Sequence, residues 1–172
     1  MLLVPAAQLV ARLPVYRTLI GVVAASDALY GAAVSDPHLS SARPLRSVDA
    51  PAGVAALAAT LQCGALVIGL PFGAAGLQAE EEHKARQRRV LAALLRDPAL
   101  AGRGLLACAF VPARQPTAAS VAEQHRDNLQ WDQTAVEELG TRGEERDAAV
   151  NAAVALQLFL DEHCGGWANT FG

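Results

Sequence analysis

The chain has few aromatic residues, few cysteines and no long apolar run. Phe, Trp and Tyr make up 5% of its 172 residues, although 52% are hydrophobic. Alanine supplies the excess, which favours small-residue helix packing around a modest Val/Leu/Ile sheet. No stretch of about 18 uncharged apolar residues occurs, which argues against a transmembrane helix. The best candidate, Val150–Leu160, is too short and contains Asn151 and Gln157. The three cysteines, Cys63, Cys108 and Cys164, are odd in number and far apart, with no C-x-x-C pair. Neither a disulfide framework nor a zinc site is indicated; buried free thiols in a reducing compartment are expected. The histidines His38, His83, His125 and His163 lack metal-ligand spacing, and no nucleophile triad, Walker motif or dinucleotide glycine fingerprint is present. Acidic residues are missing before Asp27, while Arg12 and Arg17 fall in that stretch. Such N-termini occur in organelle transit peptides. A short arm ordered against the domain is the competing reading.

What is present reads as one domain of ordinary size, long enough to bury a single core. Net charge is −3 and the isoelectric point about 5.8. A nucleic-acid binder is usually basic over its binding face, so overall charge does not favour phosphate binding, although a local patch stays open. Residues 1–17 are expected to form an N-terminal arm, with a short apolar helix or arm over Met1–Arg12 ended near Pro14. Thr18–Ala24 reads as a buried strand, Asp27-Ala28 as a hairpin turn, Tyr30–Ser35 as a second strand and Ala42–Val48 as a third. Asp49 suits an N-cap and Pro51 an early helical position, for a helix to about Cys63 with Gly64 as its C-terminal cap. Ala65–Gly69 is a short apolar run suited to a central strand covered on both faces. A helix from Leu77 to Arg96 should stop at Asp97-Pro98, followed by a strand over Leu105–Val111. A helix over Thr117–Gln130, a polar insertion at about 124–145, a final helix from Glu144 or Asp147 to about Glu162, and an irregular tail over 164–172 complete the expectation.

Four blocks in order resemble the YqgF/RuvX family of RNase H-like proteins. Tyr30-Gly31-Ala32-Ala33-Val34-Ser35-Asp36-Pro37 with Ala42-Arg43-Pro44-Leu45 is similar to the family's I-G-V-A-V-S-D-P and A-x-P-L. Ala65-Leu66-Val67-Ile68-Gly69-Leu70-Pro71-Phe72-Gly73 resembles its V-V-G-L-P strand end, in the P-F-G form of plant members. Pro112-Ala113-Arg114-Gln115-Pro116-Thr117 aligns with D-E-R-L-T-T, and Ala148–Leu160 with D-x-L-A-A-x-x-I-L-Q-x-x-L. Trp131-Asp132-Gln133-Thr134 offers a rival alignment to the third block. The polar residues before it do not read as a strand, and the gap to the final helix is short. The resemblance implies an α/β fold: an RNase H-like mixed five-stranded sheet flanked by helices, spanning 18–163.

In that family, carboxylates on the first strand, after the last strand and at the start of the last helix would hold divalent metal, clamping the attacking and leaving oxygens of a phosphodiester. The matching positions here are Ala24, Ala113 and Ala148. A methyl group neither coordinates a cation nor orients water. The resemblance therefore implies a catalytically degenerate domain, with no catalytic residue and no metal or other cofactor. Its implied role is a scaffold or RNA/protein-binding subunit of a larger, organellar (mitochondrial or chloroplast) ribonucleoprotein assembly, or otherwise a cytoplasmic one. The alternatives are an active nuclease of pre-rRNA 5′-end processing using Mg2+ on relocated carboxylates, with Asp27 and Asp147 as weak substitutes, and a purely protein-binding accessory subunit. Arg114, Lys84, Arg88 and Arg89 are the candidate nucleic-acid contacts. Their bland reading is a solvated helix face neutralised by Glu80, Glu81 and Glu82. Phe72, Leu77 and Trp131 are the candidate partner contacts, because an apolar loop stands where bacterial members carry a polar one.

Overall fold

The computed structural model describes residues 1–71, 77–113 and 143–165. A six-stranded mixed sheet has the order β1-β6-β5-β2-β3-β4. The strands are β1 (Leu2–Leu3), β2 (Leu19–Ala24), β3 (Tyr30–Ser35), β4 (Ala42–Val48), β5 (Ala65–Gly69) and β6 (Leu106–Ala109). The helices are α1 (Ala6–Arg12), α2 (Pro51–Thr60), α3 (Leu77–Arg96) and α4 (Gly143–His163), with a 3-10 turn at Pro98–Leu100. The β2–β3 and β3–β4 pairs are antiparallel hairpin neighbours, whereas β2–β5, β5–β6 and β1–β6 are parallel.

The sheet is covered on both faces, which is why β2, β3 and β5 are buried along their whole length. On one side, Leu19, Val23, Val67 and Cys108 pack against Leu9 of α1 and Ala152, Ala155, Leu156 and Phe159 of α4. On the other, Ile20, Val22, Leu66 and Ile68 pack against Val54 and Ala58 of α2 and Val90, Leu91 and Leu94 of α3. The alternation of Leu19/Ile20 and Val22/Val23 between the two clusters is the period-2 pattern of a strand.

Five strands become six because the first residues pair with the far edge of the sheet. Leu2 N–H donates to Leu105 O (2.8 Å) and Val4 N–H to Ala107 O (2.9 Å), so β1 extends β6. The α2 helix also ends differently from expectation. Its C-cap is Leu61, and the left-handed residue that follows is Gln62 (φ 50°), not Gly64. Gly64 is needed for close approach: a Cβ there would lie 2.6 Å from Leu13 Cδ1 and 2.8 Å from Arg17 Cβ. The N-cap of α2 is Ala50 with no side-chain bond, so Asp49 does not cap it, while Pro51 takes its expected place in the first turn. Asp97 does cap: its Oδ1 accepts from Ala99 N–H (2.8 Å) and stops the chain after α3.

Candidate functional site

The C-terminal edge of β2, β5 and β6 is where an open α/β sheet presents its ligand-facing loops. The helix α4 crosses beneath it, lying chiefly over β3 and β4. Three glycines let it sit directly on the sheet backbone. A Cβ on Gly31 would be 1.8 Å from Ala148 O, one on Gly21 2.7 Å from Leu156 Cβ, and one on Gly69 2.7 Å from Ala155 Cβ. The alanines of α4 answer the glycines of the sheet, and the seam has no room for a larger group.

The three alanine positions do not form one centre. Ala24 pairs with Tyr30 in the β2–β3 ladder and packs in the cluster under α2 and α3, while its neighbour Val23 faces α4. Ala148 is buried at the first turns of α4 beside Gly31. Ala113 N–H donates to Glu162 Oε1 (3.0 Å), near the other end of that helix. Fourteen residues at 1.5 Å each separate Ala148 from Glu162, or about 21 Å. Ala113 is thus well outside one layer spacing, roughly 10 Å, from Ala148. Ala24 and Ala148 lie at the same end of the β2–β3 hairpin but on opposite sides of the sheet, Ala24 under α2 and α3 and Ala148 carried by α4.

The weak substitutes are placed apart as well. Asp27, in the β2–β3 hairpin, accepts from Arg89 Nη2 at 2.9 Å and lies 3.4 Å from Arg86 Nε, both on α3. The Arg89 hydrogen bond leads in holding the Asp27 carboxyl below its ordinary value, against a smaller opposing effect of desolvation, with the charges of Arg89 and Arg86 helping. Tyr30 closes the same turn, its hydroxyl donating to Asp27 O (2.9 Å). Asp147 is exposed in the first turns of α4, 4.0 Å from Arg146 Nε. Among the described residues no group of three His, Cys, Asp or Glu is placed to hold a metal ion. The described residues do not by themselves supply the carboxylates for the paired metals of an RNase H-like nuclease, and no step through a metal is derived.

The basic run on α3 is largely committed within the fold. Lys84 Nζ lies 2.7 Å from Glu80 and 3.3 Å from Glu81, so its charge is matched on its own helix. Arg89 serves Asp27, and Arg88 is exposed with no ion-pair partner among the described residues. Burial and the nearby Arg86 charge press the His83 pKa down, Glu82 opposing. Arg114, Phe72 and Trp131 lie outside the described residues, as do the helix expected over Thr117–Gln130 and nearly all of the insertion; of Leu77 only the backbone is described.

One residue at this edge escaped the reading of the sequence. Gln87, 4% exposed, donates from Nε2 to Ile68 O (2.5 Å) and Phe110 O (3.0 Å), bridging the ends of β5 and β6 to α3. The signal was available. Gln87 stands at i, i+4 and i+7 with Leu91 and Leu94, on the apolar stripe of the helix. A polar residue in that stripe signals a buried hydrogen-bond partner.

Architecture and edge geometry together define an α/β domain of the RNase H-like fold. Two solved structures share it. Thermus thermophilus RuvC superimposes with a TM-score of 0.52 and 16% identity, covering 86% of this chain and 96% of its own. The yeast mitochondrial Holliday junction resolvase Ydc2 superimposes with a TM-score of 0.54 and 10% identity, covering 96% of this chain and 88% of its own. No model of a known family and no curated protein matches the sequence.

Proposed function

We propose that this chain is a nuclease-fold domain that has given up phosphodiester cleavage and serves as an RNA- or protein-binding subunit of a larger, organellar assembly. The observation that carries the proposal is the Gly31–Ala148 seam. Where the last helix would carry a carboxylate, Ala148 stands, and its backbone carbonyl is pressed against Gly31 of β3 with no space between them. Asp27, in the β2–β3 hairpin, is held by two arginines and turned into a hairpin fastening. The organellar part rests on the acid-free, arginine-bearing composition before Asp27, a stretch that the fold keeps as β1 and α1 and not as a removable leader. Among the described residues no helix is long and apolar enough to cross a membrane.

The test is incubation of purified protein with labelled four-way DNA junctions and structured RNA, with and without Mg2+ or Mn2+. Binding without cleavage, or no cleavage alongside recovery in a large native complex, is the expected outcome. Metal-dependent cleavage that disappears in Asp27→Ala or Asp147→Ala would overturn the reading in favour of a relocated active centre. The neighbour Ydc2 is a Holliday junction resolvase, so the junction is the stringent substrate to include.

A further inference from the structure

The opposite edge of the sheet holds a feature that the reading above does not use. A cleft of about 410 Å3 opens where β5 and β6 begin, between the end of α1, the end of α2 and the loop before β6. Arg12, Arg17 and Arg103 line it, each from a different segment, and no acidic residue does. None of the three takes part in an ion pair among the described residues. In a chain of net charge −3, three guanidinium groups around one cleft with no ion-pair partner among the described residues run against the average.

Two of these groups are aimed by backbone carbonyls. Arg17 Nη1 donates to Gln62 O (3.0 Å). Arg103 donates from Nε to Ala99 O (2.9 Å) and from Nη1 to Ala59 O (3.4 Å). Carbonyl bonds fix direction and leave the positive charge intact. Capping the C-terminal carbonyls of α2 accounts for part of what Arg17 and Arg103 do. It accounts neither for Arg12, which has no hydrogen-bond partner among the described residues, nor for a cleft of this size. Gln62 in the wall is strained at φ 50°, Gly104 takes φ 65° as glycine freely does, and the bare backbone of Gly64 completes it.

We propose that this cleft is an oxyanion site that takes a phosphate group, either on a free ligand up to the size of a nucleoside monophosphate or within a nucleic-acid strand. Guanidinium forks match phosphate oxygens bidentately, and several converging on one volume favour a doubly charged group over a single carboxylate. The site lies across the sheet from Ala24 and Gly69, so it stands whether or not the domain cleaves nucleic acid.

Titration of 15N-labelled full-length protein followed by NMR decides it, with inorganic phosphate, AMP and a ten-nucleotide single strand as separate probes. Saturable shifts are expected at the Arg17 and Arg103 Nε–H groups and the Gly64 and Gly104 amides. Affinity should fall roughly tenfold or more in Arg12→Gln, a loss consistent with a charge-assisted hydrogen bond, and stay unchanged in Arg96→Gln on α3. Arg12 is the informative variant, because Arg17 and Arg103 also hold the fold. A strand that binds much more tightly than AMP, with affinity falling as salt rises, assigns the phosphate to nucleic acid. Equal binding of AMP and strand assigns it to a free ligand. No saturable shift with any probe, or unaltered affinity in a folded Arg12→Gln variant, overturns the proposal.

Discussion

Replacing Gly31 by alanine should destabilise the protein, against the usual sign of that substitution. The φ of Gly31 is not in the left-handed region, and at a compatible backbone Gly→Ala ordinarily stabilises by about 0.4–1 kcal/mol through the unfolded chain. Here the new methyl would sit 1.8 Å from Ala148 O and 2.2 Å from Ala148 C, and ordinary contact begins at 3.4 Å. The atoms in the way are backbone, so no rotamer change relieves them, and α4 must move by 1.6 Å, the difference of those two distances. Gaps of about 0.5–1 Å already forfeit a quarter to a half of a dispersion contact. That helix buries Val150, Val154, Leu156, Phe159 and Leu160 besides its alanines. The cost belongs at the upper end of overpacking, about 3 kcal/mol. For a domain of this length that lowers Tm by roughly 6–12 °C. Urea and thermal denaturation measure it, with Gly143→Ala, which meets nothing within 4 Å, as the control. The double variants sharpen the argument. Ala148→Gly should not rescue Gly31→Ala, because the clash is with main chain. Ala155→Gly should partly rescue Gly69→Ala, because there the clash is with Ala155 Cβ at 2.7 Å. A Gly31→Ala protein as stable as the parent, or one rescued by Ala148→Gly, would refute the seating of α4 on β3.

Two further outcomes test the ends of the sheet. Gln87→Met should lose about 1–3 kcal/mol by urea titration, because Phe110 O is stripped of its side-chain donor in a buried place; unchanged stability would show that water or another group takes over. Asp36 tests pH dependence: burial raises its pKa, but hydrogen bonds from Ser40 and Ser41 outweigh that and hold the carboxyl below its ordinary value. Its contribution is therefore complete above the unfolded value of about 3.9 and is lost as pH falls through the lower folded value. Asp36→Asn should flatten the acid limb of the stability curve below about pH 4, and equal slopes in the two proteins would contradict the assignment.

Much of the architecture was legible because strands and helices here obey their own periods. Leu19–Ala24, Tyr30–Ser35, Ala42–Val48 and Ala65–Gly69 fall where apolar runs and turn residues place them, and α3 occupies the span 77–96 bounded by Asp97-Pro98. The two-residue β1 could not be read, since two leucines carry no period and their partner lies 104 positions away, from Leu2 to Leu106. Gly64 was misread as a helix cap because glycine answers two demands, a left-handed turn or a close approach, and local sequence does not separate them. The site was harder still. Alanines at motif positions say which groups are missing, but face and distance depend on how α4 crosses the sheet. Gln87 and the arginines of the cleft depend on contacts between segments 19 to 45 positions apart.

The two borders of the sheet govern how this protein can associate. An unpaired strand is a template for another chain, and proteins avoid unwanted pairing with short edges, proline, positive charge and bulges. One border here, β1, is two residues long. The other, β4, carries Pro44 between Arg43 and Leu45, has Arg46 beyond, and slips register opposite Ala32/Ala33. Both borders are therefore poor at recruiting a further strand. Any assembly that includes this domain must grip it by helices, loops or charge, and amyloid-like or strand-swapped oligomers are disfavoured by the same design.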